Sequence, residues 1–299
     1  MATVALILCI SCILIAVVAY AEQKQQPRLP EGIKFDADLV YKRVNGHELA
    51  LDLYWRENAD QPMPLIIWVH GGAWRAGSRK GAGGILPLLD DGFAIASISY
   101  RLSQDAIFPA QIEDCKAAVR WLRAHAQQYN LAPERFGAWG ASAGGHLVAL
   151  LGTAGDIKEW DKGEYQEHSS RVQAVCDWFG PTDLLRMDDI PGDMKHNASN
   201  SPESQLIGGP IQENKDKVAY ANPITYITPD DPPFLIMHGQ DDRTVIPNQS
   251  ELLHQALQAA GLESTLLIIE GAGHGFQGKR QELLRQPRAF FSKHLKVGV

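Results

Sequence analysis

Apolar residues follow two rhythms along the chain. Residues 39–44 and 47–55 alternate apolar with polar, and Asn45-Gly46 between them supplies the positive-φ pair of a two-residue hairpin turn, so an antiparallel pair is predicted to open the fold. Short unbroken apolar runs follow at 65–69, 93–99, 135–139, 172–178, 234–237 and 266–269, each succeeded by a helical pattern. Runs of that kind, alternating with helices, predict an α/β class with a mostly parallel sheet covered on both faces. The helix over 109–128 starts at a proline and shows Ile112, Cys115, Ala118, Val119 and Leu122 on one face; the helix after Ser142 runs through Leu147, Val148, Leu150 and Leu151 and is predicted to stop near Gly152. Two stretches break the rhythm. Residues 156–170 are charged, and 182–232 is long, rich in Asp, Asn, Pro and Gly, with scattered apolar positions, which predicts a cap or lid over the C-terminal edge of the sheet.

The first residues change the picture. An apolar run over 4–19 leads into Ala19-Tyr20-Ala21, a small-x-small pattern, and then into polar residues 22–25, so 1–21 is read as a signal peptide and 22–299 as one exported catalytic domain, secreted or periplasmic. The run is near the minimum for a membrane span and Met1-Ala2-Thr3 carries no Lys or Arg, so retention as a membrane anchor is the alternative. Cys9 and Cys12 lie inside that run and carry no redox reading; for Cys115 and Cys176 a bridge and two buried thiols are both open. The 45% hydrophobic content of 299 residues is enough for a substantial core, and a net charge of −7 without a basic stripe argues against a nucleic-acid partner. Neither HExxH nor paired Cys-His spacing occurs, so no metal or other cofactor is expected.

Chemistry concentrates at four places. Gly140-Ala141-Ser142-Ala143-Gly144 lies between a predicted strand and a predicted helix, where small neighbours let a serine stand on a tight turn clear of the sheet. His70-Gly71-Gly72-Ala73-Trp74 follows the strand over 65–69; its backbone amides at Gly72 and Ala73, with that of Ala143, are assigned to an oxyanion hole. Two further strand ends run into His238-Gly239-Gln240-Asp241-Asp242 and into Gly271-Ala272-Gly273-His274-Gly275-Phe276. Ser142, Asp242 and His274 stand in the nucleophile, acid, base order of a Ser-His-Asp triad on this type of fold, with Asp183 as the rival acid. His70, His146 and His238 are read as structural, hydrogen-bonded near the site, since one general base suffices. Asn197-Ala198-Ser199 and Asn248-Gln249-Ser250 match glycosylation sequons.

These motifs carry a resemblance that runs from about residue 39 to 295: HGGAW at His70, YRLS at Tyr100, FPAQIEDCKAAVRWLR from Phe108, WGASAGGHL from Trp139, SPESQLIGG from Ser201, HGQDDRTV from His238 and GAGHGF from Gly271. The chain resembles the α/β-hydrolase superfamily, and within it the bacterial esterases typified by bifunctional feruloyl and acetylxylan esterases, with hormone-sensitive-lipase-like esterases as further relatives. The resemblance implies an α/β-hydrolase fold and places the acid four residues after the histidine of H-G-x-x-D, at Asp242 rather than Asp241. Two departures touch the pocket: Ala73 stands where lipase-like relatives often have a third glycine, and Ile246 displaces the usual proline to Pro247.

The expected activity is that of a serine carboxylesterase acting on short acyl or aryl esters, whether small molecules or esters linked to polysaccharide; acetyl and feruloyl groups come from the resemblance alone. Trp74, Phe179 and Phe276 are the candidate substrate-binding aromatics. An amidase or exopeptidase on the same triad and a non-catalytic binding relative are the alternatives; the chain shows no evident acidic pair to grip a peptide amine, and the complete triad counts against the last.

Overall fold

The computed structural model describes residues 29–296, and the fold is that of the unit beginning at Gly32. The apolar run at 4–19 and the motif ending at Ala21 lie outside the described residues. Strands β1 (Ile33–Val44) and β2 (His47–Arg56) form the predicted hairpin, with Asn45 at φ 50° and Gly46 at φ 80° in the turn. The following strands are β3 (Met63–Val69), β4 (Ala94–Ile98), β5 (Leu131–Ala141), β6 (Ala174–Trp178), β7 (Phe234–Gly239) and β8 (Ser264–Ile269). They assemble as β1-β2-β4-β3-β5-β6-β7-β8, with β1, β2 and β4 paired antiparallel and every pair from β4 to β8 parallel. The α/β-hydrolase class expected from the sequence is the class observed.

Alternation along the buried strands splits the core into two sides. Leu65, Ile67, Val69, Ala138, Val175, Phe234 and Ile236 join the large apolar cluster with helices α1 (Ala110–Ala124) and α2 (Ala143–Thr153). The intervening residues point the other way, where Trp139 meets Trp68 and Trp178 edge-on and Phe291 of α7 (Arg285–Leu295) packs against it. Cys115 belongs to the first side, Cys176 is flanked by Val175 of that side and so faces the second, and both are free buried thiols.

Helix α1 shows the expected apolar face, yet Asp114, Lys116 and Arg120 beside it are buried too. Arg101 grips Asp114 with two hydrogen bonds of 2.7 and 2.8 Å, and Asp161 receives Arg120 at 2.9 Å. The charged stretch 156–170 therefore packs on α1 through paired charges and through Trp160, whose indole donates to the Tyr220 hydroxyl at 2.6 Å.

The 182–232 stretch, expected as a cap, is a chain of short helical pieces that includes α3 (Pro202–Ile207) and α4 (Lys215–Ala221). Its Leu206, Ile207, Ile211, Val218 and Ala221 are buried in the main apolar cluster. Helices α5 (Asn248–Ala259) and α6 (Arg280–Leu283) flank β8 in the chain. Among the described residues no helix is long and apolar enough to cross a membrane.

Candidate active site

Strand β5 ends at Ala141 and α2 begins at Ala143, so Ser142 alone makes the reversal, at φ 56° and ψ −123°. A non-glycine residue in that region is strained and persists only where its surroundings fix it. The fixing is visible: the Ser142 amide donates to the Trp178 carbonyl at 2.8 Å, and the Ser142 carbonyl accepts from His146 at 3.1 Å. Strand and helix approach too closely for side chains. A Cβ on Gly140 would lie 2.1 Å from the Gly144 carbonyl oxygen, and one on Gly144 would lie 2.1 Å from that of Val69.

The loop after β3 presses on this turn. A Cβ on Gly71 would meet the Ala141 carbonyl oxygen at 2.7 Å, and Gly72, Ala73 and Trp74 take φ of 108°, 54° and 55° in succession. The Gly72 carbonyl accepts from the amides of Arg75 and Ala76, both at 3.0 Å, while Tyr100 donates to the His70 carbonyl at 3.0 Å and stacks on the His70 ring. This bonding sets the loop that carries the amides of Gly72 and Ala73 beside the helix start that carries the amide of Ala143. His70 and His146 are buried rings. Burial lowers both, the latter to about 4, against the partial support of the Gly71 and Ala221 carbonyls.

The other half of the site comes from the loops after β7 and β8. His274 Nε2 lies 3.1 Å from Ser142 Oγ, and His274 Nδ1 lies 2.7 Å from Asp242 Oδ2. Asp242 Oδ1 accepts from the amides of Thr244 and Val245 at 2.9 and 3.0 Å. His238 Nε2 donates to the Val245 carbonyl at 2.7 Å and stands 3.3 Å from Asp242 Oδ2, while its Nδ1 lies 2.6 Å from the Ser250 hydroxyl. Burial alone would raise the Asp242 carboxyl, but the hydrogen bonds and charge of His238 and His274 hold it well below the usual carboxylate range. Asp183 is engaged elsewhere, capping a helical turn by accepting from the Leu185 amide at 3.1 Å.

The aromatic candidates need a correction. Trp74, Phe179 and Phe276 are only 1%, 2% and 0% exposed, so none presents a wall to an open cleft. The Phe179 ring instead packs edge-on against the His274 ring with centroids 4.7 Å apart, Phe276 backs Phe179 at 4.8 Å, and Trp74 lies edge-on to His146 at 5.4 Å. Two contributors escape a reading of sequence alone: His238 as a direct partner of the acid, and the Trp178 carbonyl as the acceptor for Ser142. The spacing His238 to Asp242 could have suggested the first; the second is a backbone contact across the sheet and leaves no trace in residue types. Among the described residues no group of three His, Cys, Asp or Glu side chains could hold a metal.

The model of the BD-FAE family matches residues 51–257. The "Probable carboxylic ester hydrolase LipM" of Mycobacterium tuberculosis is 31% identical over 219 residues, covering 72% of this chain and 50% of that protein. The chain spans about half the length of the curated relatives it matches. Among solved structures, a truncated carbohydrate esterase from gut microbiota superposes with a TM-score of 0.78 at 34% identity, covering 89% of this chain and 98% of its own. A thermophilic esterase of the Planctomycetes species Thermogutta terrifontis with butyrate bound gives 0.71 at 26% identity, covering 91% of this chain and 98% of its own.

Proposed function

Because the chain belongs to the BD-FAE family of α/β-hydrolases, we propose that it is a serine carboxylic-ester hydrolase acting through an acyl-enzyme. The continuous hydrogen-bonded path Ser142–His274–Asp242, at 3.1 and 2.7 Å, carries the reading. His274 takes the proton of Ser142 as the hydroxyl attacks the ester carbonyl, then returns it to the departing alkoxide; a water repeats the cycle on the acyl-serine. Asp242, held ionised by its own amide and imidazole donors, keeps Nδ1 protonated and supports the imidazolium. The amides of Ala143, Gly72 and Ala73 receive the tetrahedral oxygen, aided by the N-terminus of α2 behind Ser142.

The substrate class in this proposal is a short acyl or aryl ester, with acetyl or feruloyl groups on plant polysaccharide as the physiological form. Three observations support it. The gut-microbiota relative is a carbohydrate esterase and the Thermogutta terrifontis relative holds butyrate. In this chain Leu206 and Ile207 of the 182–232 segment are spent in the core, so they are not free to line a long acyl cleft. Each buried methylene contributes about 0.8 kcal/mol, and a long chain with no apolar groove gains little of that. Export is part of the proposal and rests on the apolar leader and its Ala19-Tyr20-Ala21 motif; the N-terminal sequence of the mature protein checks it.

The decisive assay is a p-nitrophenyl ester series from acetate to palmitate, beside methyl ferulate, acetylated xylan and a matching anilide. The expected result is kcat/KM falling with acyl length, no jump on emulsification, and ester turnover far above that of the anilide. A maximum at long chains or faster anilide cleavage would overturn the substrate class, and failure of a fluorophosphonate to label Ser142 would overturn the mechanism.

A further inference from the structure

Two neighbouring residues of one turn touch the nucleophile and the base. Strand β6 ends in Asp177-Trp178, and the chain reverses through Phe179 and Gly180. The Trp178 carbonyl holds the Ser142 amide at 2.8 Å, and the neighbouring Phe179 ring holds His274 edge-on at 4.7 Å. We propose that this turn is a positioning bracket for the reaction, setting the distance between nucleophile and base, and that Asp177 is the side chain that fixes it. The inference rests on the serine-hydrolase reading of the site.

The geometry leaves the turn little freedom. Phe179 sits at φ 44°, a left-handed conformation that a bulky aromatic residue adopts only under constraint. Its own amide donates to the Met237 carbonyl of β7 at 2.8 Å, which ties the turn to the strand that leads into the Asp242 loop. Its ring is clamped from behind by Phe276 at 4.8 Å. Asp177 then closes the turn, since its Oδ1 accepts from the Gly180 amide at 3.0 Å.

The carboxylate is also the spacer between turn and helix. A Cβ on Gly145 would come within 2.2 Å of Asp177 Oδ1, and one on Gly180 would come within 2.6 Å of the same atom and 2.7 Å of the His146 amide nitrogen. Asp177 is fully buried, wedged between the first turn of α2 and the reversal after β6. Beyond it, the amides of Thr182 and Asp183 both donate to the buried Gln249 side chain at 2.8 and 2.9 Å, so the exit from the turn is pinned to α5. With both ends fixed, a shift of the turn moves the Ser142 amide and the His274 ring together. Removing Asp177 Oδ1 releases the Gly180 amide and lets the two move independently.

The test compares Asp177→Ala, Asp177→Asn and Phe179→Leu in the full chain with p-nitrophenyl acetate, alongside near-UV circular dichroism and an NMR titration of the His274 ring. Misplacement of a catalytic group by about an ångström costs on the order of 100-fold. Asp177→Ala is therefore expected to lower kcat about 10- to 100-fold with KM within about twofold, Asp177→Asn, which keeps the Oδ1 acceptor, to recover most of it, and Phe179→Leu to lower kcat about 10-fold and shift the His274 titration. If Asp177→Ala does not fold, the other two variants decide. The bracket is overturned if folded Phe179→Leu keeps kcat within twofold and an unshifted His274, and the assignment to Asp177 is overturned if folded Asp177→Asn loses as much rate as Asp177→Ala. Absence of ester turnover in the wild-type protein would instead remove the esterase reading, while the His274 titration would still report on the bracket.

Discussion

The turn around Ser142 and the segment between β6 and β7 are held by different means. At the turn, backbone lies against backbone: Gly140 and Gly144 each sit where a Cβ would come within 2.1 Å of a carbonyl oxygen, and a Cβ on Gly145 would come within 2.2 Å of the Asp177 carboxylate. The 182–232 segment is held locally, piece by piece. Asp183, Ser201 and Asn222 each cap a short helix with a side chain, and Gly208 ends α3 in the left-handed conformation at φ 74°. A helix of six or seven residues has no stability of its own, so each piece depends on the one or two apolar side chains it sends into the core. The difference teaches where change is tolerated. The first region accepts almost no substitution; the second can exchange its exposed residues without disturbing the turn.

The strongest way to break the contrast is to remove one oxygen from the turn. Ser142→Ala is expected to lower ester turnover by about 10⁴-fold or more with an unchanged melting temperature, because no core volume is lost. Exposed Gln205→Ala in α3, which removes a 3.4 Å contact with Arg75 and a 3.3 Å hydrogen bond to the Asn200 carbonyl, is expected to leave turnover within a few-fold. Residual activity above about one per cent in the serine variant would refute the nucleophile assignment.

Next in size is the acid. Asp242→Asn is expected to cost about 10⁴-fold in kcat, because His274 would be left in the wrong tautomer with its charge uncompensated. Asp241→Asn and Asp183→Asn are expected to retain most activity; a loss equal to that of Asp242→Asn in either would reassign the acid.

A pair of glycines reads the contrast as stability. Gly144→Ala drives a methyl group into the Val69 carbonyl and is expected to cost about 4 kcal/mol or more, measured by urea unfolding. Gly208→Ala meets only the movable Ile107 side chain, at 3.1 Å, and is expected to cost the left-handed penalty of about 1 to 2 kcal/mol. Equal costs would mean that both regions are equally plastic.

The finest test uses pH. Burial raises the Asp177 carboxyl from 3.8 to about 7, against the Gly180 hydrogen bond that lowers it. Between those values the folded chain keeps a proton that the unfolded chain has released, so the fold loses stability as pH rises through this window, by up to about 4 kcal/mol at 1.36 kcal/mol per unit. In the 182–232 segment, burial lowers His196 but contact with Glu203 at 3.0 Å outweighs it and raises the ring. That stabilisation is complete below the unfolded histidine value and is lost as pH rises through the raised one. Asp177→Asn is expected to gain on the wild type from about pH 4 to about pH 7 and to level off above that, and His196→Gln to show a smaller change confined to pH above about 6.5. Parallel stability curves for wild type and Asp177→Asn would show that the buried carboxyl does not titrate in this range.

Patterning alone determined the hairpin at Asn45-Gly46, the six apolar runs that became β3 to β8, and the placement of Ser142, Asp242 and His274 at strand ends, because each depends on local periodicity or on glycines that permit a tight turn. The exposure of the aromatics was not local. Trp74 and Phe276 close catalytic motifs and Phe179 follows the end of β6, yet all three take positive φ and lie buried, and only the neighbours they meet there decide the matter. The charged stretch 156–170 was equally opaque, since its burial against α1 depends on Asp161 finding Lys116 and Arg120 across more than 40 residues of chain. Contacts between distant segments, such as Trp178 with Ser142 or Phe179 with His274, exist only once β5, β6 and the loop after β8 lie side by side, because their geometry is set by the packing of the sheet and not by any pattern within a single segment.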